Sequence, residues 1–110
     1  METVTVPAKR RKEPHMHAAV RRYRVSDTDA LVGKVEEEFV ARVKGVDGFV
    51  GYYVIDGGDG NVASVTVGES AQAVEESTQL AADWVRESAA DLIEGSPEVT
   101  SGEVRVRAQR

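Results

Sequence analysis

The segment Phe49 to Ile55, FVGYYVI, carries apolar or aromatic side chains in both registers of an extended chain: Phe49, Tyr53 and Ile55 on one side, Val50, Tyr52 and Val54 on the other. Successive side chains of a strand point to opposite faces, so this run has to be covered from both sides. Val62 to Val67, VASVTV, is a second β-rich run, and the DGGDGN between them has the composition of a hairpin turn. The two runs are expected to pair antiparallel. Whatever the rest of the chain does, it must supply a layer for each face of this hairpin.

One helix is expected on each side of the hairpin in sequence. HAAVRRYRV (His17 to Val25) reads as a strand, with β-compatible residues and no turn former inside. Ser26 then offers an N-cap, and Asp27 and Asp29 put negative charge on the first helical turn. Leu31, Val35, Phe39 and Val43 recur every fourth residue, with Val32 and Val40 beside them and Lys34, Glu36, Glu37 and Arg42 on the other side. This predicts an amphipathic helix, ended by Gly45 in a left-handed stop. A second helix is expected from Ala71 to Ile93, capped by Ser70, with Val74, Ser77, Ala81, Trp84, Val85, Ala89 and Leu92 as its apolar stripe and with Gly95 and Pro97 closing it. Glu103 to Arg107, EVRVR, alternates charged and apolar residues and reads as the last strand.

The resulting order is strand, helix, strand, strand, helix, strand, and 110 residues suffice for one such domain. Right-handed crossovers put both helices on one face of a four-stranded antiparallel sheet, an α+β, ferredoxin-like βαββαβ fold. Two helices cover one face only. The other face keeps an apolar register that a lone chain leaves in water, so the sheet is expected to pack on that of a second copy as a homodimer. The domain is assigned to residues 16–110. Residues 1–15 contain Lys9, Arg10, Arg11 and Lys12 beside two prolines and are expected to form a flexible basic arm.

Composition removes whole classes of chemistry. Cysteine is absent, which excludes disulfides, thiolate metal sites and a cysteine nucleophile. The net charge is −5, and with a local +2 on the arm the remainder stands at −7, which repels phosphate backbones and makes nucleic acid a poor partner. No apolar run has the roughly 18–20 residues of a membrane span, and the first residues lack a signal-peptide core, so the expectation is a cytoplasmic protein without a membrane partner.

The residues quoted above resemble the dimeric α/β-barrel superfamily, and within it the antibiotic biosynthesis monooxygenase-like domains. The likeness rests on the element order over Met16 to Arg107 and on HAAVRRYRV, DGFVGYYVI, NVASVTV and STQLAADWVRESAADLI. It implies a homodimer whose two sheets form a barrel, with a small-molecule pocket between the sheet and helices of each subunit. It also implies a cofactor-independent oxygenase acting on a small aromatic or polyketide-like molecule. The chain has Gly68 where many relatives carry an aromatic residue, and Ser77 is nearest to a helical position where many carry a histidine. The haem-degrading branch, which relies on that histidine, is accordingly disfavoured, and no cofactor or metal is expected.

Within that reading the aromatic residues Tyr23, Tyr52, Tyr53 and Trp84 would hold a flat ligand, and Arg22 or Arg24 would stabilise the substrate anion that must form before dioxygen accepts an electron. Arg22, Tyr23 and Trp84 are the candidate catalytic residues; His17, Arg24, Tyr52, Tyr53 and Ser77 are candidate substrate-binding residues. Each has a plainer alternative. Trp84 lies on the apolar stripe and fits a core position, and strand arginines commonly pair with acids at a dimer rim. His15 and His17 form an H-x-H pair without a third ligand nearby, and Glu36, Glu37 and Glu38 read as a solvated helix face. Two functions besides oxygenation remain open: a non-catalytic small-molecule-binding dimer, and a stress-associated dimer with a filled interior.

Overall fold

A computed structural model describes residues 15–110, so the basic arm lies outside the described residues except for its last member, His15. Four strands, β1 (His17–Val25), β2 (Phe49–Asp56), β3 (Asn61–Gly68) and β4 (Ile93–Glu103), form one antiparallel sheet in the order β2-β3-β1-β4. Helix α1 covers residues 28–44 and helix α2 residues 71–92. Both pack on the same sheet face through Leu31, Val35, Phe39 and Val43 from α1 and Ala81, Trp84 and Ala89 from α2. The architecture is the ferredoxin-like βαββαβ fold. Among the described residues no helix is long and apolar enough to cross a membrane.

The every-fourth-residue stripe of α1 has a direct geometric consequence. Four residues of an α-helix overshoot a full turn by about 40°, so a regular helix would carry the stripe about 120° around its surface between Leu31 and Val43. The helix removes that drift by opening its middle. Thr28–Lys34 and Val40–Lys44 are α-helical, whereas Val35–Phe39 forms a wider π turn, and all four stripe residues are buried. Helix α2 makes the same adjustment: after the α-helical Ala71–Trp84 comes a π turn, Val85–Ala89, which keeps Trp84 and Ala89, five apart, both in the core. A final 3₁₀ turn, Ala90–Leu92, leads into β4.

Several local expectations are corrected. Asp27, not Ser26, caps α1 by accepting from the Ala30 amide at 3.1 Å, while the Ser26 hydroxyl donates to the Leu92 carbonyl at 3.4 Å. Gly45 is right-handed (φ −82°), and the left-handed glycine of that loop is Gly48 (φ 85°), at the entrance to β2. Ser70 caps α2 as expected, accepting from the Ala73 amide at 3.1 Å.

The last strand is Ile93–Glu103 rather than Glu103 to Arg107. Pairing with β1 decides this: β1 begins at His17, opposite Glu103, and one further bond from the Val104 amide to the Met16 carbonyl ends the ladder. Among the described residues most of EVRVR therefore has no partner strand, with Val106 88% exposed. Gly95 and Pro97, expected to end α2, instead sit in a bulge of this edge strand. Between the Arg22–Glu98 and Arg24–Glu94 pairs β4 advances four residues while β1 advances two, which accommodates a left-handed Gly95 (φ 72°) and a proline without an amide proton.

The β2–β3 hairpin turns through Gly58, Asp59 and Gly60, all at positive φ. Gly60 also lies under β1, where its carbonyl accepts from the Val25 amide at 2.8 Å. A Cβ there would stand 2.5 Å from the Val25 carbonyl oxygen, whereas one on Gly58 would meet nothing within 4 Å. Gly60→Ala should therefore lower the unfolding free energy by at least about 2 kcal/mol and Gly58→Ala by about 1 kcal/mol, the cost of the left-handed backbone alone. Urea midpoints of the two variants test this, and equal midpoints would refute the close approach.

Candidate functional site

Between the helix-facing side of the sheet and the two π turns lies a cavity walled by Phe39, Trp84, Tyr52, Tyr23 and Ser64, with Val35 and Val85 from the π turns themselves. Its free volume is about 30 Å³, room for one or two waters. The Phe39 ring is 5.5 Å from Trp84 and 5.4 Å from Tyr52, both tilted, so three aromatic rings from α1, α2 and β2 meet at one point. Trp84 is buried in the core, as its place on the stripe allows, and its indole nitrogen donates to Glu38 Oε1 at 3.0 Å across the two helices. Glu38 is thus not simply part of a solvated face. That hydrogen bond holds its carboxyl below the usual carboxylate range, with Lys34 contributing at 3.6 Å.

The polar end of the cavity is built on β1 and β3. Arg21, 2% exposed, extends between sheet and α2 and donates from Nε to Ser64 Oγ (3.1 Å), from Nη2 to Thr66 Oγ1 (2.7 Å) and from Nη1 to Thr78 Oγ1 (2.9 Å). Among the described residues no carboxylate forms an ion pair with it. A buried cation met only by hydroxyls is costly unless nearby dipoles or an anion compensate it. Its presence also explains why the polar register of β3, Ser64 and Thr66, is the one turned under the helices. Ser64 lines the cavity together with Tyr52, whose phenol burial pushes up to about 12 despite the opposing influence of Arg21. At neutral pH Tyr52 is therefore a hydrogen-bond donor and not a base.

No protein-family model and no curated protein matches the chain in sequence. Solved structures do match its backbone. A protein of unknown function from Nitrosomonas europaea aligns with a TM-score of 0.70 at 12% identity, covering 87% of this chain and 95% of that one. SnoaB, a cofactor-independent oxygenase from Streptomyces nogalater, aligns at 0.67 and 16% identity over 87% and 99%. ActVA-Orf6, a monooxygenase of Streptomyces coelicolor solved with nanaomycin D, aligns at 0.65 and 21% identity over 87% and 93%. The chain has the antibiotic biosynthesis monooxygenase-like fold. Its element order, sheet topology and helix placement are those of the ferredoxin-like βαββαβ fold, as the sequence patterns imply.

On this monooxygenase-like frame the candidate residues separate by sheet face. Tyr23, Tyr52 and Trp84 come together in the cavity. Arg22 and Arg24 do not line it; both are exposed on the opposite face of β1, where Arg24 Nη1 donates to Asn61 Oδ1 at 2.7 Å. Tyr53, 59% exposed, shares that open face with Ile55. Ser77 is fully buried, and its hydroxyl donates to the Val74 carbonyl of its own helix at 2.9 Å. His17 lines a separate cleft with Glu75, Thr78 and Ser101, its Nδ1 donating to the His15 carbonyl at 3.1 Å.

Arg21 is the residue that sequence reasoning passed over. Its signal was present in the alternation itself, since Arg21 and the serine and threonine of VASVTV share one face once Arg21 pairs with Ser64. The elevated Tyr52 phenol has a stability consequence with a definite sign. In the unfolded chain it loses its proton near pH 10, in the folded protein only near 12, so the folded state is progressively penalised as pH rises through that window. Wild type should lose on the order of 2 kcal/mol more than Tyr52→Phe between pH 10 and 12. Urea unfolding of both proteins at each pH measures it, and parallel curves would contradict the assignment.

Proposed function

We propose that the protein is a cofactor-independent monooxygenase of the antibiotic-biosynthesis type, acting on a small aromatic or polyketide-like phenol. The observation that carries this is the aromatic cavity ending in the Tyr52–Ser64 pair with Arg21 behind it. Phe39 and Trp84 would hold the ring by stacking and edge contacts, with Tyr23 beside them. The Tyr52 hydroxyl would donate to the substrate oxygen, and Arg21, acting through Ser64, would favour negative charge there.

Among the described residues the cavity lining contains no carboxylate and no histidine, and in this reading the phenolic proton leaves to solvent. The phenolate then passes electrons to dioxygen, a carbon–oxygen bond forms, and the resulting hydroperoxide loses water to leave a quinone. One phenol and one dioxygen give one quinone and one water, with no external reductant. Arg22 and Arg24 belong to a different part of this reading, the face between two sheets.

A second copy is expected on that face. Val20, Val65 and Val67 lie there with Tyr53 and Ile55, and a register of this kind is covered by an identical sheet in a twofold dimer. Val65→Glu should shift the protein to monomer in sedimentation at micromolar concentration. A wild-type protein that sediments as a monomer would refute the pairing.

A second reading, a stress-associated dimer with a filled interior, is favoured by one specific observation: about 30 Å³ is far below the roughly 300 Å³ and more of ordinary ligand pockets, so a ring enters only if the aromatic walls part. The two readings differ in product. Under the oxygenase reading, small phenols drive dioxygen uptake with quinone formation, and Tyr52→Phe lowers kcat/KM about 100-fold, as loss of an oxyanion donor does. A broad phenol panel that neither raises Tm nor drives dioxygen uptake would select the filled dimer instead.

A further inference from the structure

The lone tryptophan of the chain is the largest wall of the cavity, and one side chain holds it. Trp84 sits on α2 immediately before the π turn Val85–Ala89, and Glu38 sits on α1 inside the π turn Val35–Phe39. The two widened turns face each other over the cavity, contributing Val35, Phe39 and Val85 to its lining. A π turn displaces the residues that follow it relative to a regular helix, so the reach of Glu38 to the indole depends on this departure from α geometry. The bond from Trp84 Nε1 to Glu38 Oε1 is 3.0 Å, and Lys34 one turn earlier approaches the second carboxylate oxygen at 3.6 Å. The indole nitrogen is a donor only and the carboxylate an acceptor only, so the contact fixes the ring in one orientation, tilted against Phe39 at a centroid separation of 5.5 Å.

We infer that Glu38 is a positioning residue whose carboxylate holds the Trp84 indole against the cavity and thereby sets the size of ligand the cavity takes. The inference rests on the reading of the cavity as a ligand site. As it stands, with the indole held, the free volume admits water only, and Trp84 is the wall whose displacement would enlarge it most, since its neighbours Val35, Phe39 and Val85 are smaller. A one-ring ligand needs a modest parting of the walls; a two-ring ligand needs the indole to leave its place, and with it the bond to Glu38. Glu38 touches no ligand in this scheme. It acts on the ligand through Trp84.

The test uses the full chain with Glu38→Ala, Glu38→Gln and, as a surface-charge control, Glu36→Ala, Glu36 being exposed on the same helix. With a single tryptophan, its fluorescence reports this one contact directly. Glu38→Ala should red-shift the emission and lower its anisotropy. Glu38→Gln, which keeps an acceptor oxygen, should restore most of both, and Glu36→Ala should match wild type. Binding of phenol and 2-naphthol, followed by calorimetry, reads the size selection: wild type should prefer phenol, and Glu38→Ala should gain about tenfold in affinity for 2-naphthol with little change for phenol.

Emission unchanged in Glu38→Ala, or an unchanged ratio of the two affinities, would overturn the inference. A wild type that binds neither probe would instead overturn the ligand-site reading, while the fluorescence of the variants would still decide whether Glu38 positions the indole.

Discussion

Arg21 enters the space between sheet and helices as a full positive charge, and the interior is arranged around that fact. Its guanidinium bonds two hydroxyls of β3 and one of α2, so a single planar group ties the central strands to the second helix. Meeting those donors requires Ser64 and Thr66 to face inward. Because side chains alternate along a strand, Ala63, Val65 and Val67 must then face outward, away from the helices. The apolar outer face of the sheet is therefore linked to the charge beneath the inner one, and the same choice of register that satisfies Arg21 leaves a surface suited to a second sheet.

The charge also shapes the cavity next to it. Ser64 accepts from Arg21 and lines the cavity beside Tyr52, whose phenol, raised by burial, keeps its proton well above neutral pH. A cavity otherwise lined by aromatic and aliphatic groups thus has one end rich in donors. On the opposite wall the tryptophan is pinned by a carboxylate from the other helix. Each polar contact reaches across two elements, and the one between β1 and β3 would not survive a slip of strand register by one residue.

Periodicity carried most of the fold. The every-fourth stripe of α1, the capped start of α2 at Ser70 and the glycine-rich hairpin were readable because each depends on neighbours in sequence. The stripe even contained the reason for the π turn, since a spacing of four does not fit a helix of 3.6 residues per turn. The errors fell where a distant partner decides. The Ser26 hydroxyl is engaged by Leu92, 66 residues on, and capping falls to Asp27. EVRVR alternates as well as any strand in the chain, yet among the described residues the ladder with β1 ends at Met16. Gly95 and Pro97 look like a helix stop, and an edge strand with a bulge tolerates both.

The site followed the same division. By itself the sequence determined the element order, the amphipathic faces, and the absence of cysteine and of any histidine after His17, which left Arg, Tyr and Trp as the candidate site residues. Which arginine lies beside the cavity was decided by the tertiary pairing. Arg21, Arg22 and Arg24 are equivalent as letters in HAAVRRYRV, but the pairing of Arg21 with Ser64 assigns it to the covered face and sends its neighbours to the other. Likewise three consecutive glutamates are indistinguishable until α2 packs against α1 and brings one indole nitrogen within reach of Glu38. Local propensity depends on residues a few positions apart, whereas the side of a sheet and the partner of a buried polar group depend on which elements meet in space.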